Sequence, residues 1–144
     1  MSQFAFLQFE FSEVYDAAHR AEALANPDPR AACFYARRAL ELAVTWAYEH
    51  DAALHLPYRE DLSALIHEAS FRDVAGQAIF YKCRIIKDLG NQAVHSARTI
   101  TKEDSHAALR ELFHVCYWLV RTYAKGAKPD GQLTFDPLAL PESS

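Results

Sequence analysis

The chain has 144 residues, of which 51% are hydrophobic and 24% are charged, and its formal net charge is −4. This length gives room for one domain around a single core, and the composition is that of a globular rather than a disordered protein. Four glycines are too few for the turns of a β-rich fold, and the acidic balance is not that of a dedicated duplex-DNA binder.

The cysteines and the N-terminal segment indicate the cellular compartment in which the chain resides. Cys33, Cys83 and Cys116 lie far apart in apolar, helix-like runs, without a Cys-x-x-Cys pair. We therefore expect three reduced core thiols and neither a zinc ribbon nor a disulfide framework. The N-terminus lacks the basic start of a signal peptide, and no later run is long enough to cross a membrane. The sequence predicts a cytoplasmic chain with no membrane contact and no cofactor.

Two helices are predicted in the first third of the chain, separated by Asn26-Pro27. The first should begin at Ser12, a good N-cap, and the second follows Asp28-Pro29, where proline suits the first helical position. Arg37 and Glu41 lie four residues apart on the polar shoulder of the second helix and are spaced for an ion pair. Its apolar stripe consists of Ala32, Cys33, Ala36, Leu40, Ala43, Val44 and Ala47.

The second half is also predicted to be helical. A short helix, LSALIHEA, precedes a long helix that Ser70 caps, with a kink expected at Gly76 or Gly90. Thr101 with Asp104 resembles a capping box and opens the last helix.

These elements predict an all-α fold. We expect a four- to five-helix bundle over residues 1–126, followed by an extended C-terminal strap or linker over residues 127–144. The aromatic residues near the N-terminus are interpreted as a short apolar strap that closes one end of the bundle. They are Phe4, Phe6, Phe9 and Phe11.

The most informative stretch is the run from Arg84 to His95. At about 100° per residue, Arg84, Asp88, Asn91 and His95 gather on one side of a helix, with Lys87 at its margin. Such a row is suited to gripping a phosphate or a protein partner, and it is also typical of a solvated helix face. The opposite side should face the core and carries Ile79, Ile86, Gly90, Ala93 and Ala97.

Metal binding is a weaker hypothesis. Glu111-x-x-His114 has the spacing of the ligands in di-metal helical bundles, and Asp16-x-x-His19 resembles that ligand pattern less closely. Only Glu41 offers a further carboxylate, so surface polar pairs explain these motifs better and no metal site is predicted. Nucleophilic catalysis has no support either, because the chain has no nucleophile elbow and no glycine-rich phosphate loop.

Four runs along nearly the whole chain carry a resemblance to one family: NPDPRAACFYARRALELAV, LSALIHE, IIKDLGNQAVH and ALRELFHVCYWLVRTYA. They resemble the HEPN-like helical domain of unknown function found at the N-terminus of bacterial type I restriction endonuclease R subunits. Arg38-Ala-Leu-Glu41 together with Gly90-Asn91-x-x-x-His95 is more specific than either motif alone. In its parents this domain precedes a nuclease and an ATP-driven DNA translocase, and this chain has the motifs of neither.

The resemblance also raises the question of ribonuclease activity. Catalytic HEPN proteins are metal-independent ribonucleases whose motif is an arginine, then a polar residue, then a histidine four to six residues beyond the arginine. Asn91 and His95 match the later part, but positions 88–90 hold Asp, Leu and Gly. The nearest arginine, Arg84, lies roughly 16 Å from His95 along the helix axis. We therefore expect no catalytic residues in this domain, and the alternative is a toxin-like ribonuclease that uses His95 and Asn91.

The leading hypothesis is a non-catalytic docking domain that binds a protein partner of a restriction complex, or contacts DNA or RNA non-specifically. Its expected binding face comprises Arg84, Lys87, Asn91 and His95, with Arg37, Arg38 and Glu41 nearby or beneath. For Arg38 and Glu41, an ion pair that sets the helix register is an equal alternative.

The resemblance further implies a homodimer with His95 near its cleft. The aromatic residues of the last two helices favour the same conclusion, because Phe80, Tyr81, Tyr117 and Trp118 do not all fit into a narrow core. Exposed aromatic surface usually marks an interface.

Overall fold

The computed structural model describes residues 1–142 and contains only helices, turns and irregular segments over that range. Its α-helices are α1 (Ser12–Leu24), α2 (Pro29–His50), α3 (Leu62–His67), α4 (Ala69–Ala75), α5 (Gln77–His95) and α6 (Lys102–Tyr123), and its 3₁₀ turns are Ala5–Leu7 and Pro137–Ala139. The predicted all-α bundle is confirmed, with α1, α2, α5 and α6 as its four long helices. None of the helices in the described part is long and apolar enough to span a membrane.

The described residues contain six α-helices rather than four or five because the predicted long helix is broken. Gly76 has a φ of +85°, a left-handed conformation that residues with a side chain rarely adopt, so α4 ends before it and α5 begins after it. The other candidate, Gly90, lies inside an unbroken α5. Ser70 does not cap this region, because the Glu68 carboxylate caps α4 and accepts a hydrogen bond from the Ser70 N–H at 3.1 Å.

Local capping explains where the longest helices begin. The Asp28 carboxylate accepts a hydrogen bond from a first-turn N–H of α2 at 3.2 Å. Thr101 and Asp104 form the predicted capping box at the start of α6, with hydrogen bonds of 3.1 and 2.9 Å. Helix α1 begins at Ser12, as predicted, but Ser12 does not cap it, because Phe11 occupies the N-cap position and makes no side-chain cap.

The core is built around α2, which packs against α1, α5 and α6. Every residue of its predicted apolar stripe is buried. Four alanines in that stripe present little bulk, which lets neighbouring helices approach closely. The three cysteines are buried and unpaired within this core, as the sequence predicts.

The N-terminal aromatic segment closes one end of the bundle. Phe4 and Phe11 are buried, and Phe6 meets Phe113 of α6 edge to face, with ring centroids 5.6 Å apart. Phe9 departs from this interpretation, since it is 96% exposed.

The C-terminal segment returns along the bundle over residues 127–142. Gln3 and Asp136 exchange two hydrogen bonds of 2.8 Å between the side chain of one and the backbone of the other. Asn26 Nδ2 donates to the backbone of the same segment at 3.0 Å. The domain division at residue 126 stays a prediction, and positions 143–144 of the predicted strap lie outside the described residues.

Candidate functional site

The outer face of α5 carries the polar row that the periodicity predicts. Arg84, Asp88 and His95 are exposed, whereas Asn91 is half-buried at the edge that faces α2. Ile86, Gly90 and Ala93 are buried on the opposite side. Ala97 is exposed, contrary to expectation, because α5 ends at His95.

Asn91 joins α5 to α2 through Arg37. The Nε of Arg37 donates a hydrogen bond to the Asn91 Oδ1 at 2.9 Å. The aliphatic stem of Arg37 lies directly over Gly90, where a Cβ would come within 2.4 Å of the Arg37 Cβ. The antiparallel helices α2 and α5 therefore cross closely at this point, and the glycine permits that approach.

Glu41 extends this junction along α2. Its carboxylate lies 3.6 Å from the Arg37 guanidinium and 2.6 Å from the Arg38 guanidinium. A continuous chain of contacts thus runs from Asn91 through Arg37 and Glu41 to Arg38, and it brings together four of the seven predicted site residues. The Arg38 and Glu41 side chains also line a groove of about 380 Å³ between α1 and α2.

The other predicted residues lie apart from this chain of contacts. Lys87 keeps only 14% of its side chain exposed and pairs with the neighbouring Asp88 at 3.2 Å. His95 is exposed and lies one helical turn beyond Asn91. Arg84 lies two turns before Asn91, about 10 Å along the axis, so it belongs to a different part of the surface.

Arg84 belongs to a cluster around the Phe80 ring. Its guanidinium carbon lies 5.8 Å from the ring centroid, and that of Arg72 on α4 lies 4.2 Å from it. The His67 ring meets the same ring edge to face, with the centroids 5.2 Å apart. The spacing of Arg84 along α5 predicted an exposed position, but it did not indicate these partners.

The core accommodates more of the aromatic residues of the last two helices than predicted, namely of Phe80, Tyr81, Tyr117 and Trp118. Phe80 is buried, and Trp118 and Tyr117 are half-buried, so only Tyr81 is exposed to a large extent, at 49%. Overcrowding of the core therefore does not account for the exposed apolar surface. Exposed apolar side chains of α2 and α5 are Phe34, Tyr81, Ile85 and Val94.

Arg30 is a residue that the sequence analysis missed. Its guanidinium donates to the backbone carbonyls of Ala93 at 2.6 Å and Ser96 at 3.1 Å, and it also contacts that of Arg98. The Ala93 carbonyl lies in the last turn of α5, where it has no helical partner, and the carbonyls of Ser96 and Arg98 follow the helix end. Arg30 lies in the first turn of α2, so no local pattern points to a helix end more than sixty residues away.

The Lys82 side chain contacts both residues of the Glu111-x-x-His114 motif. The Lys82 ammonium lies 3.0 Å from His114 Nδ1 and 3.4 Å from the Glu111 carboxylate. Because an ammonium only donates, Nδ1 is the acceptor and the imidazole is neutral. Burial, and then the positive charge of Lys82, lower the pKa of His114. Among the described residues, no group of three or more His, Cys, Asp or Glu side chains is placed to hold a metal ion.

The thiols are not placed for nucleophilic chemistry. Burial raises the pKa of Cys33 to about 11 and that of Cys83 to about 12, and it raises that of Cys116 as well. Since the thiolate is the reactive form, burial and the raised pKa both disfavour reaction of these cysteines in the folded chain.

Comparison with known proteins gives one match. The family model described as Domain of unknown function (DUF4145) matches residues 19–134, a range that contains α2 to α6 and the whole Asn91–Arg37–Glu41–Arg38 chain of contacts. No curated protein and no solved structure matches. The HEPN-like character and the restriction-subunit context therefore stay predictions.

Proposed function

The chain belongs to the family described as Domain of unknown function (DUF4145), and on that footing we propose that it is a non-catalytic helical docking domain that binds a protein partner in the cytoplasm. In this proposal the HEPN-like bundle acts as an accessory domain, as in the R subunits of type I restriction enzymes that the sequence resembles. The binding face is the outer side of α5 with the adjoining edge of α2.

The observation that carries the proposal is the mixed character of this face. Val94 is 54% exposed on the side of α5 that adjoins α2, where Phe34 is 45% exposed, and Ile85 is 41% exposed on the opposite edge of α5, half a helical revolution away. The exposed polar groups Arg84, Asp88 and His95 lie between these two apolar edges. Protein interfaces combine apolar anchors with a polar surround in this way.

A protein partner fits this face better than a nucleic acid does. Lys87 is paired with Asp88, and Arg37 and Arg38 share the carboxylate of Glu41, so two of these three positive charges are offset. The chain as a whole carries a net charge of −4. Binding to nucleic acid needs uncompensated positive charge along the phosphates.

Site-specific photo-crosslinking in extract of the native host tests the proposal. A photoreactive phenylalanine analogue replaces Ile85 or Val94, and matched controls carry it at Arg110 or Thr122, which are exposed on α6. We expect discrete crosslinked species only from the α5 positions, and we expect those species to contain a protein other than a second copy of this chain. Equal crosslinking from α6, or none from α5, would contradict the proposal.

Nucleic-acid binding is measured in parallel by fluorescence anisotropy with labelled DNA and RNA at several salt concentrations. The double variant Arg84→Ala/Lys87→Ala is compared with the wild type. Tight, salt-dependent binding that this variant loses would show that the face serves nucleic acid instead.

A metal-independent ribonuclease that uses His95 and Asn91 is the second candidate, and one contact favours it. Arg37 reaches Asn91 from α2, so the arginine that the motif lacks in sequence is present in space. The test is digestion of labelled RNA with chelator present, using the wild type, His95→Ala and Arg37→Ala. Cleavage that both variants abolish would replace the docking proposal, and no cleavage by the wild type would exclude this candidate.

We also propose that, in the absence of the partner, two copies of the chain pair through this same α2–α5 face, so that the homodimer and the partner complex exclude each other. The exposed apolar side chains Phe34 and Val94 support it, because such surface is usually covered in a stable assembly. Sedimentation at micromolar concentration should give a species of twice 16.3 kDa. Val94→Asp should shift it to the monomer, whereas Thr122→Asp should not, and a monomeric wild type would rule the dimer out.

A further inference from the structure

The Phe80 ring is covered by positive charge. The guanidinium carbons of Arg72 and Arg84 lie 4.2 and 5.8 Å from its centroid, and His67 meets its edge. Phe80 is only 2% exposed, whereas Arg72, Arg84 and His67 are exposed. The ring thus holds two guanidinium groups at the surface through cation–π contacts, and this limits their freedom before any ligand arrives.

Neither guanidinium is neutralised. Among the described residues, no carboxylate lies within 4 Å of Arg72 or Arg84. Two carboxylates close to them in the chain are engaged elsewhere, since Asp88 pairs with Lys87 at 3.2 Å and Glu68 caps α4. A cation–π contact does not cancel charge, so both arginines keep their capacity to bind an anion.

Apolar surface adjoins the two arginines. Tyr81 and Ile85 follow Phe80 and Arg84 directly in α5, and they are 49% and 41% exposed. The Tyr81 hydroxyl accepts a hydrogen bond from Gln77 Nε2 at 2.7 Å, which orients its ring. Arginine and tyrosine are among the residues that most often dominate binding energy at protein interfaces.

We propose that Arg72 and Arg84 form a docking site for an acidic peptide segment of the partner. Glutamate or aspartate carboxylates of that segment pair with the two guanidinium groups, and an apolar side chain between them packs on Tyr81 and Ile85. This inference rests on the docking function proposed above and assigns the chemistry of the partner. Charge complementarity and the apolar neighbours favour a peptide over a nucleic-acid strand, which would need a longer row of positive charges.

The test is fluorescence anisotropy of the full chain with a fluorescein-labelled peptide, Glu-Glu-Leu-Glu-Leu-Phe-Glu-Glu, and with the same peptide carrying Gln for every Glu. Single-stranded DNA and RNA of twelve nucleotides are measured alongside. The wild type should bind the acidic peptide and not the Gln peptide. Arg72→Ala/Arg84→Ala should weaken this binding by about tenfold or more, since it removes both charged donors of the site.

A matched control removes the same charge elsewhere. Arg20→Ala/Arg110→Ala deletes two exposed arginines on α1 and α6 and should leave peptide binding unchanged. If Arg72→Ala/Arg84→Ala unfolds the chain, Arg72→Gln/Arg84→Gln is used instead. It keeps the aliphatic part of both side chains over the Phe80 ring and removes only the charges, so it still tests whether the charges bind the peptide.

Three results would overturn the inference: no binding of the acidic peptide by the wild type, equal loss in the control variant, or tighter binding of DNA or RNA than of peptide at this site. Crosslinking from Val94 distinguishes the two proposals. If it persists in the Arg72→Gln/Arg84→Gln variant while the acidic peptide does not bind, the docking function stands and the acidic-segment assignment fails.

Discussion

The Cβ of Arg37 lies so close to the backbone of Gly90 that a Cβ added there would come within 2.4 Å of it. This contact sets the spacing between α2 and α5 at the level of the Asn91 hydrogen bond. Because the contacting atom belongs to the base of the arginine side chain, a rotamer change does not relieve it. The geometry of the candidate site therefore depends on a residue that has no side chain.

Gly90→Ala should destabilise the fold by about 2 kcal/mol. Helix propensity favours alanine by about 1 kcal/mol, but overpacking at such a contact costs about 1–3 kcal/mol or more, and at 2.4 Å the steric cost is the larger. Urea unfolding monitored by circular dichroism measures the difference. Gly131→Ala is the control, because a Cβ there meets nothing closer than 4.0 Å. An unchanged or higher urea midpoint for Gly90→Ala would show that the two helices separate freely.

Arg30→Met should destabilise the fold by about 2 kcal/mol and loosen the end of α5. The variant keeps an aliphatic stem but loses the hydrogen bonds to the carbonyls of Ala93 and Ser96, and hydrogen bonds from charged groups contribute about 1.5–3 kcal/mol. Hydrogen exchange should accelerate for the amides of the last turn of α5. Arg110→Met, at an exposed position on α6, should leave both measurements unchanged, and identical exchange in the two variants would refute this role for Arg30.

Stability should fall with acidification through the range in which free histidine titrates, in part because of His114. Burial and the Lys82 ammonium lower the pKa of His114 below that of a free histidine, so the unfolded chain takes up a proton that the folded chain resists. The contribution is fully present above about pH 6.5 and is lost as the pH falls through the folded pKa.

Urea unfolding at pH 7.5, 6.5 and 5.5 measures this slope. His114→Gln should reduce it, and Lys82→Met should reduce it less, because burial is the larger cause of the shift. The carboxylates with lowered pKa, Asp61 and Asp104 among them, titrate at lower pH and do not interfere. Equal slopes in the wild type and His114→Gln would contradict the role of His114.

The three thiols should react slowly with a disulfide reagent at pH 8 in the folded chain and all react at once on unfolding in urea. Each is buried, and burial raises its pKa, so little thiolate is present or accessible. Thr122→Cys provides a fourth, exposed thiol as the positive control and should react at least about tenfold faster. Rapid reaction of any native thiol would mean that the core opens locally.

The sequence by itself determined the helical elements and the two faces of α5. Asp28-Pro29 and the Thr101–Asp104 capping box signal the starts of α2 and α6, because caps involve residues only three apart. The apolar stripe of α2 and the polar row of α5 follow from the 3.6-residue period. Caps and periodicity involve residues that are close in sequence, so they can be recognised without knowledge of the fold.

The choice between the two candidate kinks was decided by tertiary structure. Both Gly76 and Gly90 were open to a break, and only Gly76 adopts a positive φ. Gly90 is glycine for another reason, since it lies under Arg37, a residue more than fifty positions earlier. The sequence alone does not show whether a position must be glycine because of its backbone conformation or because a neighbouring helix lies close to it.

Only the tertiary structure decided which polar groups meet. Arg37 reaches Asn91, Lys82 occupies the pair that resembled a metal motif, and Arg72 converges with Arg84 on one ring. Periodicity places a side chain on a face of its own helix, but the neighbour of that face depends on which helices adjoin and how each is rotated. The order of the helices and the rotation of each about its axis are fixed by the packing of the whole core, and residues distant in sequence contribute to that packing together.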